Sequence, residues 1–189
     1  DLKKPIASGA FVSRFDLEQL NQTLVKQTLT FDSGQADLRL AFKADVVNLE
    51  MQKPFLIGSV VIQNASGTHI SSKKKFNNSS VDLSFTSKEL KVNQIELNTQ
   101  NSALKMKGQS DNFLNFYYDT PEKIVLNWDI HAEKIDLRDF SFGSGKAASI
   151  KKSTKITPNV INILHQSNAT INLRAENIVY KKFRARNAI

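Results

Sequence analysis

The chain has 189 residues, with Lys+Arg 26 against Asp+Glu 18, a formal net charge of +8 and no cysteine. This length supports one domain with its own core, and a hydrophobic content of 40% is that of a globular protein. The lack of cysteine excludes disulfides, thiolate metal sites and a cysteine nucleophile. No run approaches the roughly 18 consecutive apolar residues of a membrane-spanning helix.

The first predicted element is a helix near the N-terminus. Asp16 is an expected N-cap, Gln19 follows three residues later as in a capping box, and leucines recur on one helical face. We therefore expect about three helical turns over Asp16 to Leu29.

Strand-like alternation dominates the middle of the chain. Side chains on a strand point alternately to opposite faces, so this pattern is typical of a sheet with one apolar and one polar face. Turn residues at 53–54, 64–67, 77–79 and 99–102 separate the predicted strands, and Gly34 is expected to open the first of them. The predicted strands are 36–42, Val46 to Met51, Ile57 to Gln63, Val81 to Thr86, Leu90 to Asn98, Ala103 to Gly108 and Ile124 to Leu137.

Three further elements are predicted in the second half of the chain. We expect a short helical turn at 110–114, a flexible loop at 141–156 and a second helix at 158–166 that Thr157 caps. The predicted fold class is mainly β (β-rich α+β), with a curved antiparallel or mixed sheet and one helix near each end. The chain is interpreted as one domain, residues 1–189.

The longest alternating segment makes the clearest prediction of register. Leu126, Trp128 and Ile130 should share one apolar face, with Asn127 and Asp129 facing water. A slip by one residue would expose the whole apolar set, so the register should be firm.

Motifs for catalysis are missing from the sequence. The Gly-Ser-Gly-Lys run at 143–146 lacks both the earlier glycine and the following serine or threonine of a phosphate-binding loop. His69, His131 and His165 are far apart and form no metal-binding pair. We therefore predict a protein that is not an enzyme, with no catalytic residues, no cofactor and no metal.

Basic residues form the other distinctive pattern, since they cluster at 73–75, 151–152 and 181–184. Such clusters favour phosphate, whether of nucleic acid or of anionic lipid headgroups, although lysines at strand edges also simply block aggregation. A nucleic-acid-binding sheet would interleave aromatic and basic residues, as at 180–184, but that one segment serves equally well as a half-buried strand, so nucleic acid is not the favoured partner. The candidate contacts to an anionic surface are Lys73, Lys74, Lys75, Lys151, Lys152, Lys181, Lys182 and Arg184.

The order of the elements carries a family resemblance. Its main segments are 33–40, 57–65, 81–85, 102–114 and, after a linker, 169–183. This succession resembles the C-terminal region of the AsmA-like family, bacterial cell-envelope proteins related to TamB. The resemblance is diffuse: strand rhythm and single Gly, Asn and Phe positions carry it rather than one motif.

The resemblance implies a periplasmic β-rich module that is membrane-associated and acts in outer-membrane biogenesis or lipid homeostasis. It also implies lipid transport along an apolar groove, with phospholipid or envelope proteins as partners. The family's N-terminal membrane helix is not in this sequence, so we expect a fragment of a longer protein tethered by a segment outside the chain. The candidate apolar lipid-facing residues are Leu83, Phe85, Leu97, Met106, Leu126, Trp128 and Ile130.

Three alternatives stay open at this point. The two predicted helices could cover the apolar face and make it an ordinary sealed core. The domain could also be a scaffold or protein-interaction module of the envelope, or a basic nucleic-acid-binding domain.

Overall fold

The computed structural model describes residues 5–23, 28–47, 50–70, 72–116, 123–139 and 167–188. Within them the chain forms one open, curved, nine-stranded sheet in which the strands lie in sequence order. The predicted mainly β fold with a mixed sheet is confirmed. The strands are β1 (Ile6–Asp16), β2 (Leu29–Val47), β3 (Glu50–His69), β4 (Lys74–Thr86), β5 (Glu89–Asn98), β6 (Ala103–Asp111), β7 (Val125–Asp136), β8 (Asn168–Tyr180) and β9 (Phe183–Ala188).

Neighbouring strands pair antiparallel except at one place. The β7 and β8 strands run parallel, with Trp128 opposite Ile171 and Ala132 opposite Ala175. A parallel pair needs a long crossover connection, which here falls in residues 140–166, outside the described part. The helix expected at 158–166 and the loop expected at 141–156 both lie there.

The N-terminal helix is shorter than the sequence predicts. A 3-10 turn, Leu17–Gln19, continues into a single α-helical turn, Leu20–Thr23, and β2 already begins at Leu29. Asp16 does occupy the N-cap position, but its side chain makes no capping hydrogen bond. The expected capping box is therefore wrong, and we call residues 17–23 the helical segment.

Four expected boundaries prove to be irregularities inside long strands. The chain does not turn at 53–54, 64–67 or 77–79, because β3 and β4 run through all three sites. Asn64 and Asn78 have positive φ, and the β3–β4 register shifts between Ile62 and Gly67, as at β-bulges. Gly34 likewise lies within β2 rather than at its start.

Other boundaries need smaller corrections. The predicted strand Val46 to Met51 is instead the end of β2 and the start of β3, where Val46 pairs with Met51. The β1 strand was not predicted at all. The turn at 99–102 is confirmed, with the Thr99 amide donating to the Ser102 carbonyl at 2.8 Å. The short helical turn is a 3-10 helix, Phe113–Phe116.

Candidate functional site: an apolar sheet face

The register of the sheet assembles long apolar rows on one face. Directly paired residues lie on the same side of a sheet, so a row can be followed from strand to strand. The central row runs from β1 to β8 through Phe15, Ala36, Ile62, Val81, Ile95, Met106, Ile130 and Leu173. The next row runs through Ser13, Leu38, Val60, Leu83, Val92, Gly108, Trp128 and Ile171.

The opposite face is polar along its length. One of its rows, from β2 to β8, runs through Arg39, Ser59, Ser84, Lys91, Gln109, Asn127 and Thr170. Alternation that is local in each strand thus becomes a two-sided surface, because the pairing keeps every strand in phase. We call the two sides the apolar face and the polar face.

The helical segment covers one corner of the apolar face. Leu17 is 0% exposed and lies against Ala36 and Ala65, which leave room for its side chain. The Asn21 side chain fastens the segment to β2, since its Nδ2 donates to the Phe31 carbonyl at 2.8 Å and its Oδ1 accepts from the Phe31 amide at 2.9 Å. This corner is an ordinary core.

Gly34 makes that close packing feasible. Its φ is +125°, and a Cβ there would lie 2.8 Å from Leu17 Cδ1 and 2.8 Å from Ala65 Cα. Only glycine avoids both the clash and the backbone strain. Gly34 therefore marks the close approach of Leu17 and Ala65 to β2, not the start of a strand.

The 3-10 helix Phe113–Phe116 lies at another edge of the same face. The Phe113 ring meets that of Phe85 edge-on, with ring centroids 6.3 Å apart. Ile124 and Leu126 nearby are 0% and 5% exposed. The described helical residues therefore cover the apolar face at its margins.

Between these margins most residues of the apolar rows are half-buried, although Val92 and Leu104 are buried. A cavity of about 340 Å³ lies over it at the end of the sheet where β2 begins and β5 ends. Phe31 and Phe76, whose rings meet edge-on at 6.1 Å, form part of its wall. Its apolar lining also includes Ile62, Val81, Ile95 and Leu97, and its polar lining includes His69, Lys74, Lys75 and Asp139.

The predicted lipid-facing residues all lie on the apolar face. Phe85 and Leu126 share a third row through Leu90 and Ser110, and Leu97 pairs with Leu104. Leu126 is buried, whereas the other six are half-buried: Leu83, Phe85, Leu97, Met106, Trp128 and Ile130. The predicted register of β7 also holds, because Asn127 and Asp129 are exposed.

Trp128 carries a polar atom in this apolar setting. Its Nε1 is buried and has no hydrogen-bond partner within the described residues. The ring stacks over the paired Gly108, where a Cβ would lie 2.8 Å from Trp128 Cδ1. A glycine opposite a large ring lets that ring lie flat on the sheet.

The predicted basic residues fall into two groups at one end of the sheet. Lys73 lies in the turn between β3 and β4, and Lys181 and Lys182 form the turn between β8 and β9. Strand directions place both turns at the same end, which is also the end that holds the cavity. Lys151 and Lys152 lie outside the described residues.

A polar cluster that the sequence did not predict closes the sheet at this end. The Asp139 carboxylate accepts from the Thr99 hydroxyl at 2.6 Å and from the Ser102 hydroxyl at 2.9 Å. Ser102 Oγ also accepts from the Asp136 amide at 2.9 Å. These bonds tie the β5–β6 turn to the end of β7.

Asp136 and Arg138 form the most strongly perturbed pair of charges. The Asp136 side chain is 3% exposed and accepts from Arg138 Nε at 2.9 Å. Hydrogen bonding to Arg138 lowers the pKa of Asp136 to about 2, although burial opposes that shift. Because Arg138 itself is 55% exposed, the pair anchors the turn rather than forming a reactive centre.

Neither metal ligation nor membrane spanning is indicated in the described part of the chain. No three side chains of the His, Cys, Asp or Glu types converge there as a metal site would require. None of the helices described is long and apolar enough to cross a membrane.

Comparisons with known proteins add no relative. No family model, no curated protein and no solved structure matches the chain.

Proposed function

We propose that this chain is a non-enzymatic module of an AsmA-like envelope protein that binds phospholipid through the apolar face. In this proposal it resides in the periplasm, tethered by a segment outside the chain, and serves outer-membrane biogenesis or lipid homeostasis. The observation that carries the proposal is the set of largely apolar rows, in which Ile62, Met106 and Trp128 are half-buried. Acyl chains need such a strip, continuous and not sealed by other protein.

The amounts of apolar surface and charge suit an amphipathic ligand. Ile171, at the β8 end of one row, is 50% exposed, and Phe11 on β1 is 52% exposed. These two side chains lie near opposite edges of the sheet, and they show that apolar side chains are exposed at both. Lys74 and Lys75 line the cavity together with Glu96 and Asp139, and the lysines carry charge of the sign that phosphate headgroups need.

The test starts with lipid that accompanies the protein. The chain purified from a bacterial host should carry phospholipid detectable by mass spectrometry after mild purification. Met106→Asp places a charge in the central apolar row and should reduce bound lipid. Asn127→Asp is the matched control, because it adds the same charge at an exposed position of the polar face.

Two results would contradict the proposal. One is a protein that carries no phospholipid and takes up none from vesicles. The other is an equal loss of lipid in the two variants, which would indicate a general effect of charge. A scaffold function would then lead, since β1 and β9 each pair on one side only within the described sheet, and free strand edges recruit partner strands.

A further inference from the structure

A basic cleft lies near the β9 edge of the sheet, and none of its lining residues belongs to the apolar rows described above. It has a volume of about 450 Å³ and lies where β7 and β8 end and β9 begins. Its cationic lining residues are Lys134, Arg138, Arg184 and Arg186. No aromatic side chain lines it among the described residues.

The strand register brings these cations together from distant parts of the sequence. Lys134 pairs with Asn177, and Asn177 pairs with Arg186, so the lysine and the arginine flank one asparagine. Arg184 lies two residues before Arg186 on the edge strand and therefore points to the same side. Three positive charges thus face one cleft.

Among the described residues, Asp136 is the one carboxylate that lines the cleft, and it does not balance these charges. Asp136 is already engaged by Arg138, as described above. In the described residues, no acidic side chain lies within ion-pair distance of Lys134, Arg184 or Arg186. Like charges held close together repel, and an anion between them would relieve that repulsion.

A second cleft, lined by residues of β6, β7 and β8, shows that this imbalance is local. That second cleft, of about 480 Å³, has Lys105, Lys107, His131 and Arg174 in its lining. There Lys105 Nζ lies 3.7 Å from Glu96 Oε1, and His131 Nε2 lies 3.8 Å from Glu176 Oε1. Asp129 also lines it, so acidic groups accompany its cations.

We infer that the cleft between β7, β8 and β9 binds a phosphate group, carried either by a lipid headgroup or by a small soluble molecule. Two guanidinium groups offer the forked donors that match phosphate oxygens, and Lys134 adds a point charge. Single-stranded nucleic acid is a poorer fit, because it is usually held by aromatic stacking as well as by charge. The site needs no lipid on the apolar face and stands apart from the function proposed above.

The experiment is a titration of the whole chain with inorganic phosphate, followed by backbone amide NMR. Saturable shifts are expected at Lys134, Asn177, Arg184 and Arg186. The double variant Arg184→Gln with Arg186→Gln should bind about tenfold more weakly or worse, since each lost guanidinium removes charge-assisted hydrogen bonds. The matched control, Lys107→Gln with Arg174→Gln, removes the same charge from the second cleft and should stay within about twofold of wild type.

A second titration separates the two sources of phosphate. Phosphatidylcholine vesicles with added phosphatidylglycerol bind the protein through this cleft if the ligand is a headgroup, and the double variant then loses vesicle binding. Saturable phosphate binding without cleft-dependent vesicle binding assigns a soluble ligand instead. Both results support the site.

Three results would overturn the inference. The first is no saturable shift at these residues. The second is an equal loss of affinity in the double variant and its control, which would indicate diffuse charge. The third is an oligonucleotide that occupies the same residues far more tightly than inorganic phosphate or vesicles, which would indicate a nucleic-acid site.

Discussion

Two regions of the apolar face have the same sequence pattern and different environments. At the corner under the helical segment, Ala36 and Ala65 are buried with Leu17. In the same row or the next, Met106 and Leu83 are half-buried. Alternation determines which side of the sheet a residue takes, whereas local packing determines whether it is buried. Leu104, Ala132 and Ala175 form a second buried cluster on the same face.

The short helical segment is sufficient to cover this corner because small residues of the sheet leave room for it. Short side chains at Ala36 and Ala65, together with Gly34, leave room for one leucine, and Asn21 bonds the segment to the β2 backbone. In the open region the rows carry larger side chains such as Leu83, and no described helix packs over them. Side-chain size therefore distinguishes the covered region from the open region as much as polarity does.

The largest predicted effect comes from truncating the covered leucine. Leu17→Ala should lower the free energy of unfolding by about 2–5 kcal/mol, because it leaves a cavity in a fully buried site. Leu83→Ala, the matched truncation in the half-buried region, should cost less, about 1–2 kcal/mol, since part of the removed side chain is already exposed. Urea unfolding measures both, and equal costs would show that the two regions do not differ.

Trp128 tests how open the centre of the face is. Trp128→Ala should cost about 1–3 kcal/mol, less than the 3–5 kcal/mol typical of a fully buried ring. Trp128→Phe should change stability by less than about 1 kcal/mol, because it removes an indole N–H that has no partner in the described residues. A phenylalanine variant as unstable as the alanine one would show that the N–H makes a hydrogen bond after all.

The Asp136 and Arg138 pair makes a prediction about pH. The folded-state pKa of about 2 lies below the ordinary 3.8, so the carboxylate stabilises the fold above about pH 4 and loses that effect as pH falls toward 2. Asp136→Asn should cost roughly 1–2 kcal/mol at pH 6, because a buried charge-assisted hydrogen bond is weakened. Measured at pH 3, the gap between wild type and variant should narrow, and a constant gap would contradict this origin of the stability.

The strands could be predicted because their signal is local. Val81 to Thr86 and Leu90 to Asn98 are strands in the structure, since alternation over a few residues is sufficient to identify them. Asn64 and Asn78 misled the prediction, because asparagine with positive φ occurs in both turns and bulges. Whether the chain reverses there depends on the partner strand, which lies far away in sequence.

The candidate site, like the fold, could be predicted only in part. The side of the sheet on which Leu97 and Met106 lie could be predicted from alternation, but their exposure could not, because it depends on tertiary packing. The cleft at Lys134, Arg184 and Arg186 could not be predicted from the sequence either. It depends on the parallel pairing of β7 with β8, and a crossover of that length leaves no local signal.

A mild effect, that of a charge at Met106, is the most informative about the open region. Met106→Asp puts a carboxylate in the central row, and in a sealed core an unpaired charge would cost several kcal/mol and unfold the domain. Because Met106 is half-buried, the carboxylate should keep contact with water, and the melting temperature should fall only by the few degrees that about 1 kcal/mol produces. Leu17→Asp is the reference for a sealed site and should unfold the protein. If calorimetry shows both variants unfolded, another part of the chain covers Met106 and the apolar face is a core throughout.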